Sequence, residues 1–453
     1  MASFFGIGGG VRSASVESSS APAINQENMF ELVPMSDKVD DAMYQYTTPG
    51  NRPQRPDPVD YLRNFVPEME DLDALVKGHS WRTLALASRS VIVRTSFTQY
   101  NQALEGWVYR IHSLIRLGHY ELANIEVGRL ERLSKSQLVY QEDHNTSAST
   151  EPITIYHPIK TWPWELRVMR AQIPGLIATG PKSAGTEGVN RHILICKSID
   201  RTHALIRTLD KKLAKLGPDS PQKGMYRTRR FQLVLLLSRQ LLELKDVPQA
   251  LKVIRDYISP TGSTDNEKSP ISPHLLTILA RIHINFGDLK NGSKLIKQAE
   301  DMLPEKGFNN DLAIANRAFL LAAQGKWSEA RKEFEQIVYH QPLNFNMANN
   351  MAICDLYQGN LDGALSIIDD LLTTEMATPD RGGGDQDKRP RNHNHSRELG
   401  TAKTSETLLY NYCSCLELRF DDNRLVQAKA HKLSHIASIV GDGFNVKSLK
   451  LEI

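Results

Sequence analysis

A spacing of 34 residues in the second half of the chain constrains its fold more than any other feature. The segment from Ala318 to Phe334 returns as the segment from Ala352 to Ile368. In both copies a small residue, a glycine, an aromatic residue or leucine, a second small residue and a large apolar residue follow in the same order. Apolar residues at helical spacing lie on both sides of each glycine. The pattern predicts two amphipathic helices joined by a tight turn, repeated every 34 residues.

A repeated helix pair of this period is typical of tetratricopeptide repeats, which stack into a solenoid. We expect Gly325 to end the first helix in a left-handed conformation. We also expect Ala330 to pack on Ala318, which lets the two helices approach closely. The sequence therefore predicts an all-α, tetratricopeptide-like α-solenoid with degenerate repeats. The residues expected to hold the repeats together are small, turn-forming or large and apolar: Gly118, Ala123, Gly287, Gly325, Trp327, Ala330, Phe334, Pro342, Gly359 and Ala364.

Composition divides the chain into segments. Residues 1–57 are rich in Ser, Gly, Pro and Asn, and we expect a disordered N-terminal tail there. The solenoid is expected over residues 70–453, with weaker copies of the repeat at spacings other than 34. Within it, residues 378–404 are expected to form a flexible insertion. Residues 405–453 are expected to form closing helices that cover the last apolar face of the solenoid.

The charge balance excludes one class of function. The 55 Lys and Arg residues and the 52 Asp and Glu residues leave a net charge of +3. A dedicated nucleic-acid binder would carry a strong basic excess, so we expect no nucleic-acid partner. Four cysteines, no signal peptide and no run of 18 apolar residues favour a cytosolic protein without a transmembrane segment.

Several motifs invite sharper interpretations that we do not adopt. The glycines at 6–10 lack the strand, helix and Lys-Ser/Thr of a phosphate loop, so disorder is favoured there. His393 and His395 with Cys413 and Cys415 make a poor metal site, because a Cys-x-Cys spacing puts the two thiols on different helix faces. The sequence therefore predicts no metal and no cofactor. No local spacing suggests a catalytic constellation, and we expect no enzyme activity.

The basic run at 227–230 allows two interpretations. It precedes an apolar stripe that begins at Phe231, so a solvated helix start is favoured over a phosphate-binding patch.

We expect the first helices of the two clear repeats to line a binding groove. A clamp for a terminal carboxylate would need Lys or Arg beside asparagines. Asn316 and Asn350 fit two such places, but neither first helix brings a cation to the groove. The groove is instead rather apolar, which favours burial of a protein segment. The predicted partner-binding residues face this groove: Phe319, Asn346, Asn349, Ile353 and Leu356.

Four segments carry a resemblance to a known family. The opening segment Leu75–Arg82 contains a Trp-Arg pair, and Trp107–Gly118 is similar to the family's first-repeat helix. Residues 316–359 include its paired asparagines, and Gly443–Leu451 is similar to its ending. Over about residues 70–453 the chain resembles subunit 12 of the transport protein particle (TRAPP) complex. Residues 378–404 depart from the family pattern, and the region before residue 57 is much shorter than in animal members.

The resemblance implies a non-catalytic scaffold in TRAPPIII, the form of the complex that acts in ER-to-Golgi transport and autophagy. Implied partners are subunits 8, 11 and 13 and the shared core, which exchanges nucleotide on a Rab GTPase. The implied location is cytoplasmic, peripheral to ER–Golgi intermediate and Golgi membranes. The family offers no short functional motif, so no binding residue follows from the resemblance. The alternative is a free-standing adaptor that binds short peptide motifs of client proteins.

Overall fold

Helix pairs account for the architecture of the computed structural model. It describes residues 24–52, 57–95, 99–133, 159–180, 188–217, 220–258, 273–302, 310–341, 344–373, 405–437 and 439–451, and this part of the chain contains no β-strand. Eighteen α-helices lie in it. They are α1 Lys38–Tyr46, α2 Pro58–Asn64, α3 Met69–Lys77, α4 Trp81–Arg94, α5 Tyr100–Arg116, α6 Tyr120–Leu133, α7 Trp164–Thr179, α8 Gly188–Leu213, α9 Gln222–Glu243, α10 Val247–Ile258, α11 Pro273–Asn285, α12 Leu289–Asp301, α13 Asn310–Ala323, α14 Trp327–His340, α15 Phe345–Tyr357, α16 Leu361–Thr373, α17 Glu406–Arg419 and α18 Asp422–Ala437. The predicted all-α repeat fold is confirmed.

One turn recurs between six helix pairs. In each, the second residue after the first helix has a left-handed backbone, and the second helix begins two residues later. At Gly325, for example, φ is +77°, and the amides of Gly325 and Lys326 donate to the carbonyls of Ala322 and Leu321, each at 2.9 Å. This is the Schellman arrangement, which satisfies carbonyls at the helix end. Glycine takes the position at 118, 287, 325 and 359, and His79 and Lys245 take it in the other two turns.

Small residues set the packing within the clear repeats. Ala318 and Ala330 are fully buried against each other's helices, together with Phe334. Trp327 stacks on Tyr357 of the next unit, with ring centroids 4.1 Å apart. Ala123 and Ala364 are equally buried. The predicted role of Pro342 lies outside the described residues, as does the insertion predicted at 378–404.

The N-terminal region differs from the sequence-based expectation. A disordered tail is predicted over 1–57, but residues 24–46 are ordered and dock on both ends of the solenoid; we call them the N-terminal segment. Phe30 stacks on Trp107 with ring centroids 4.7 Å apart, and the Trp107 Nε1–H donates to the carbonyl of Ile24 at 3.0 Å. Farther along, α1 buries Val39 against the C-terminal helices. The composition of this region predicts exposure to solvent, but docking on the folded helices buries the apolar residues of the segment.

An ion-paired junction joins the two ends of the solenoid. The guanidinium of Arg82, at the start of α4, donates through Nε to Asp442 at 2.9 Å and lies 3.0 Å from the carboxylate of Asp37. The amide of Asp442 donates to the carbonyl of His79 at 3.1 Å. Gly443, with φ +74°, packs on the backbone of Arg116 so closely that a Cβ would clash. The Trp-Arg start and the Gly-Phe ending that carry the family resemblance therefore meet in space.

Candidate interaction surface

The residues predicted to line a groove lie on α13 and α15, and the groove itself stays a prediction. Helices α11, α13 and α15 are the first helices of three consecutive pairs, and polar bonds connect two of them. The amide of Asn316 on α13 donates to the hydroxyl of Thr277 on α11 at 2.9 Å. Asn316 is buried, so its side chain serves the packing of these two helices.

Phe319 packs within the face. Its ring lies edge-on to Phe334, with centroids 5.4 Å apart, and the guanidinium of Arg281 from α11 lies 4.6 Å above it. The sequence analysis missed Arg281, because its unit is separated from the clear pair by 38 rather than 34 residues. Alignment of the turn glycines Gly287 and Gly325 would have placed Arg281 and Phe319 at equivalent positions.

Arg281 brings a cation to this face. Its guanidinium makes no ion pair within the described residues, and its Nε is buried without a hydrogen bond. Burial lowers the pKa of Arg281, which is the direction expected when no anion stabilises the charge. The side chain of Asn316 accepts from Arg281 at 3.4 Å, a long contact.

Helix α15 divides the remaining predicted residues between two faces. Asn346 is exposed and Ile353 is half-buried, and with Asn350 and Tyr357 they share one stripe of the helix. We call these four residues the α15 stripe. Asn349 and Leu356 lie beside this stripe, on the side of α15 that faces the C-terminal helices. Asn349 is buried and accepts from the amide of Asn411 on α17 at 2.9 Å, and Leu356 packs on the C-terminal core.

The groove thus divides into packed and accessible positions. Asn349 is buried, and Phe319 and Leu356 make contacts within the chain but stay half-buried, as Ile353 does, whereas Asn346 is exposed. Tyr357, 63% exposed, adds an aromatic side chain held in place by Trp327. Aromatic side chains held this way are frequent at the centres of protein interfaces.

The cysteines considered as metal ligands are buried in the C-terminal core. Burial raises the pKa of Cys413 to about 12 and raises that of Cys415 as well. Thiols in this state are poor nucleophiles and poor ligands. Among the described residues, no group of three or more His, Cys, Asp and Glu side chains could hold a metal ion. In the same part of the chain, no helix is both long enough and apolar enough to span a membrane.

Comparison with known proteins identifies relatives by sequence. No family model matches the chain. Trafficking protein particle complex subunit 12 of Mus musculus is 25% identical over 357 residues, 77% of this chain, and the Homo sapiens protein is 23% identical over 359 residues. The resemblance to subunit 12 is confirmed. This chain spans about two-fifths of the length of these subunit 12 homologues.

Solved structures similar to the chain include tetratricopeptide proteins. A repeat protein from Parabacteroides merdae is 12% identical, with a TM-score of 0.29, over 59% of this chain and 92% of that one. Yeast Tom70 is 12% identical, with a TM-score of 0.31, over 83% of each chain. The helix pairs and turns of this chain define its fold.

Proposed function

We propose that this chain is a non-catalytic scaffold subunit of a TRAPP-type vesicle-tethering complex. The observation that carries the proposal is the similarity to subunit 12 over 357 residues, 77% of this chain. The proposal includes action within TRAPPIII in ER-to-Golgi transport and autophagy. It also includes contacts with subunits 8, 11 and 13 and the core that exchanges nucleotide on a Rab GTPase. The protein would be cytoplasmic and reach Golgi membranes through these partners.

We further propose that the α15 stripe contacts a partner subunit. Its members combine one half-buried aliphatic side chain, one exposed aromatic side chain and two amides, a mixture suited to an interface core with a polar rim. Phe319, Asn349 and Leu356 would support this surface from beneath rather than touch the partner.

The first test is the native size of the tagged protein in cells. Co-elution in one large particle with the other TRAPP subunits, in fixed stoichiometry, is the expected result. Elution near 51 kDa with scattered clients would contradict the scaffold proposal.

A matched pair of variants tests the surface. Ile353→Asp should weaken capture of the partner subunits, because a carboxylate would be desolvated in the contact. Ile193→Asp is the control, because Ile193 is an exposed isoleucine on α8, outside the α15 stripe. Equal capture by both variants, with unchanged melting temperatures, would remove the α15 stripe from the interface.

One observation favours a second function, the free-standing peptide adaptor. The unpaired guanidinium of Arg281 beside Asn316 could receive a carboxylate of a client peptide. Under this alternative the isolated protein is monomeric, and acidic or C-terminal peptides bind it saturably. Arg281→Gln should then abolish peptide binding while leaving capture of TRAPP subunits unchanged.

A further inference from the structure

Four arginines from three helices converge at one place in the first half of the solenoid. Arg167 and Arg170 lie on α7, Arg201 on α8 and Arg229 on α9. We call them the arginine cluster. Such a concentration is unexpected in a chain that is nearly neutral overall.

One carboxylate contacts half of the cluster. Glu131, at the end of α6, lies 2.5 Å from the Nε of Arg170 and 3.2 Å from an Nη of Arg201. Arg201 also donates to the carbonyl of Arg170 at 2.8 Å. These bonds fasten α6, α7 and α8 together and hold two guanidiniums in place.

The other two arginines have no carboxylate partner among the described residues. The guanidiniums of Arg167 and Arg229 lie 5.6 Å and 5.0 Å from the ring centroid of Trp164. Cation–π contact positions a guanidinium without occupying its N–H donors. Arg167 is only 8% exposed, and its Nε is buried without a hydrogen bond.

The electrostatic balance at Arg167 is unfavourable for the chain alone. Burial lowers its pKa most, and the charges of Arg229 and Arg170 lower it further, with no carboxylate acting in the opposite direction. A buried charge without an anion is costly, and such groups are normally paired. The described residues therefore supply no anion that balances the charge of Arg167.

We propose that the arginine cluster binds a dianionic phosphate group. Two of the four guanidiniums share the carboxylate of Glu131, and the other two have none. The remaining positive charge of the cluster is more than one further carboxylate would neutralise. Planar guanidiniums bind phosphate oxygens through two parallel hydrogen bonds, which the Nη groups of Arg167 and Arg229 would supply here. The phosphate belongs either to a soluble polyphosphorylated compound or to a lipid headgroup.

Under this proposal, two neighbouring arginines of the basic run at 227–230 have different roles. Arg230 pairs with Asp210 at 2.5 Å and stacks on Tyr257, so its charge is already matched. Arg229 faces Trp164 instead. Two neighbouring arginines of α9 therefore form a test residue and its control.

The test uses the full chain, with inositol hexakisphosphate as the soluble probe and isothermal calorimetry at physiological salt. A vesicle arm compares phosphatidylcholine vesicles with and without phosphatidylinositol 4-phosphate, which distinguishes the two sources of phosphate. Saturable binding in either arm is expected. Arg229→Gln should weaken it by about tenfold or more, because a hydrogen bond to a charged group contributes about 1.5–3 kcal/mol. Arg230→Gln should change it less than about threefold.

Three results would overturn the proposal. The first is that neither arm shows saturable binding, and the second is that Arg229→Gln and Arg230→Gln weaken binding equally. The third is that sulfate at the same concentration as the probe displaces it. Arg229→Lys provides a second variant that keeps the charge. It should restore binding only in part, because an ammonium lacks the planar pair of donors. Full restoration would mean that charge alone attracts the probe, and would contradict a built site.

Discussion

At the scale of single residues, the left-handed turn position explains why the glycine pattern identified some repeats and missed others. Four of the six turns carry glycine there, and these glycines revealed the repeats. Lys245 occupies the same position with φ +62°, so its unit lacks the marker residue but keeps the geometry. The amides of Lys245 and Asp246 still donate to the carbonyls of Leu242 and Leu241, each at 2.9 Å.

Lys245→Gly should stabilise the protein by about 0.5–1 kcal/mol. A left-handed backbone costs a non-glycine residue about 1–2 kcal/mol, and glycine returns part of that gain as chain entropy. The measurement is the midpoint of urea unfolding at unchanged m-value. Gly325→Ala should shift the midpoint in the opposite direction. A lower midpoint for Lys245→Gly would mean that the lysine side chain stabilises the turn.

Ala330→Leu should destabilise the protein by about 1–3 kcal/mol, and so should Ala364→Leu. Both alanines are fully buried, and added methylenes would force the paired helices apart. Lys332→Leu on the exposed face of α14 is the control, expected within about 0.5 kcal/mol of the parent. An unchanged melting temperature for Ala330→Leu would contradict the close approach of α13 and α14.

At the scale of elements, the N-terminal segment contributes side chains to a core that is built mainly from α5, α6 and α7, which lie far from it in the sequence. The fully buried pair Arg110–Glu126 links α5 to α6 and also binds the backbone of this segment. Arg110 donates to the carbonyl of Glu31 at 2.9 Å, and Glu126 accepts from the amide of Glu31 at 2.8 Å. A buried ion pair needs such further hydrogen bonds to offset its desolvation.

Phe30→Ala should release the N-terminal segment while leaving the helix pairs folded. Loss of a buried phenylalanine costs about 3–5 kcal/mol, so amide exchange within the segment should accelerate by roughly a hundredfold or more. Exchange measured by mass spectrometry separates residues 24–46 from α13–α16, which act as the internal control. Equal acceleration in both regions would show that the segment is part of one global folding unit.

At the scale of the whole molecule, the junction at Arg82 links the first helices to the last. The residues it joins are about 360 positions apart, so the contact closes most of the chain into a loop. An open solenoid would hold its ends apart, whereas here the N-terminal segment and the Arg82 junction connect them.

Arg82→Met should open the junction and enlarge the molecule. Removal of one member of a buried charge cluster costs about 3–5 kcal/mol, because Asp37 and Asp442 lose their shared cation. Small-angle scattering should report a larger radius of gyration. Arg63→Met is the control, because the Arg63–Asp60 pair is exposed and contributes at most about 1 kcal/mol. Unchanged scattering by Arg82→Met would show that other contacts suffice to hold the ends.

The sequence was sufficient for the features that depend on neighbouring residues. The 34-residue period predicted the helix pairs, the turn at Gly325 and the packing of Ala330, because helix formation and pairing across a short turn are governed by local spacing. The partner contacts predicted at Phe319, Ile353 and Leu356 stay predictions, and all three side chains are half-buried.

Contacts between distant segments depended on the folded chain. Asn349 turned out to be buried because α17, which lies beyond the 378–404 stretch, supplies Asn411 as its partner. The N-terminal segment became ordered because the surface it covers is built from both ends of the solenoid. The arginine cluster collects side chains from α7, α8 and α9 that have no common spacing. In each case the energy comes from burial and charge at a meeting of elements, and local patterns carry no record of which elements will meet.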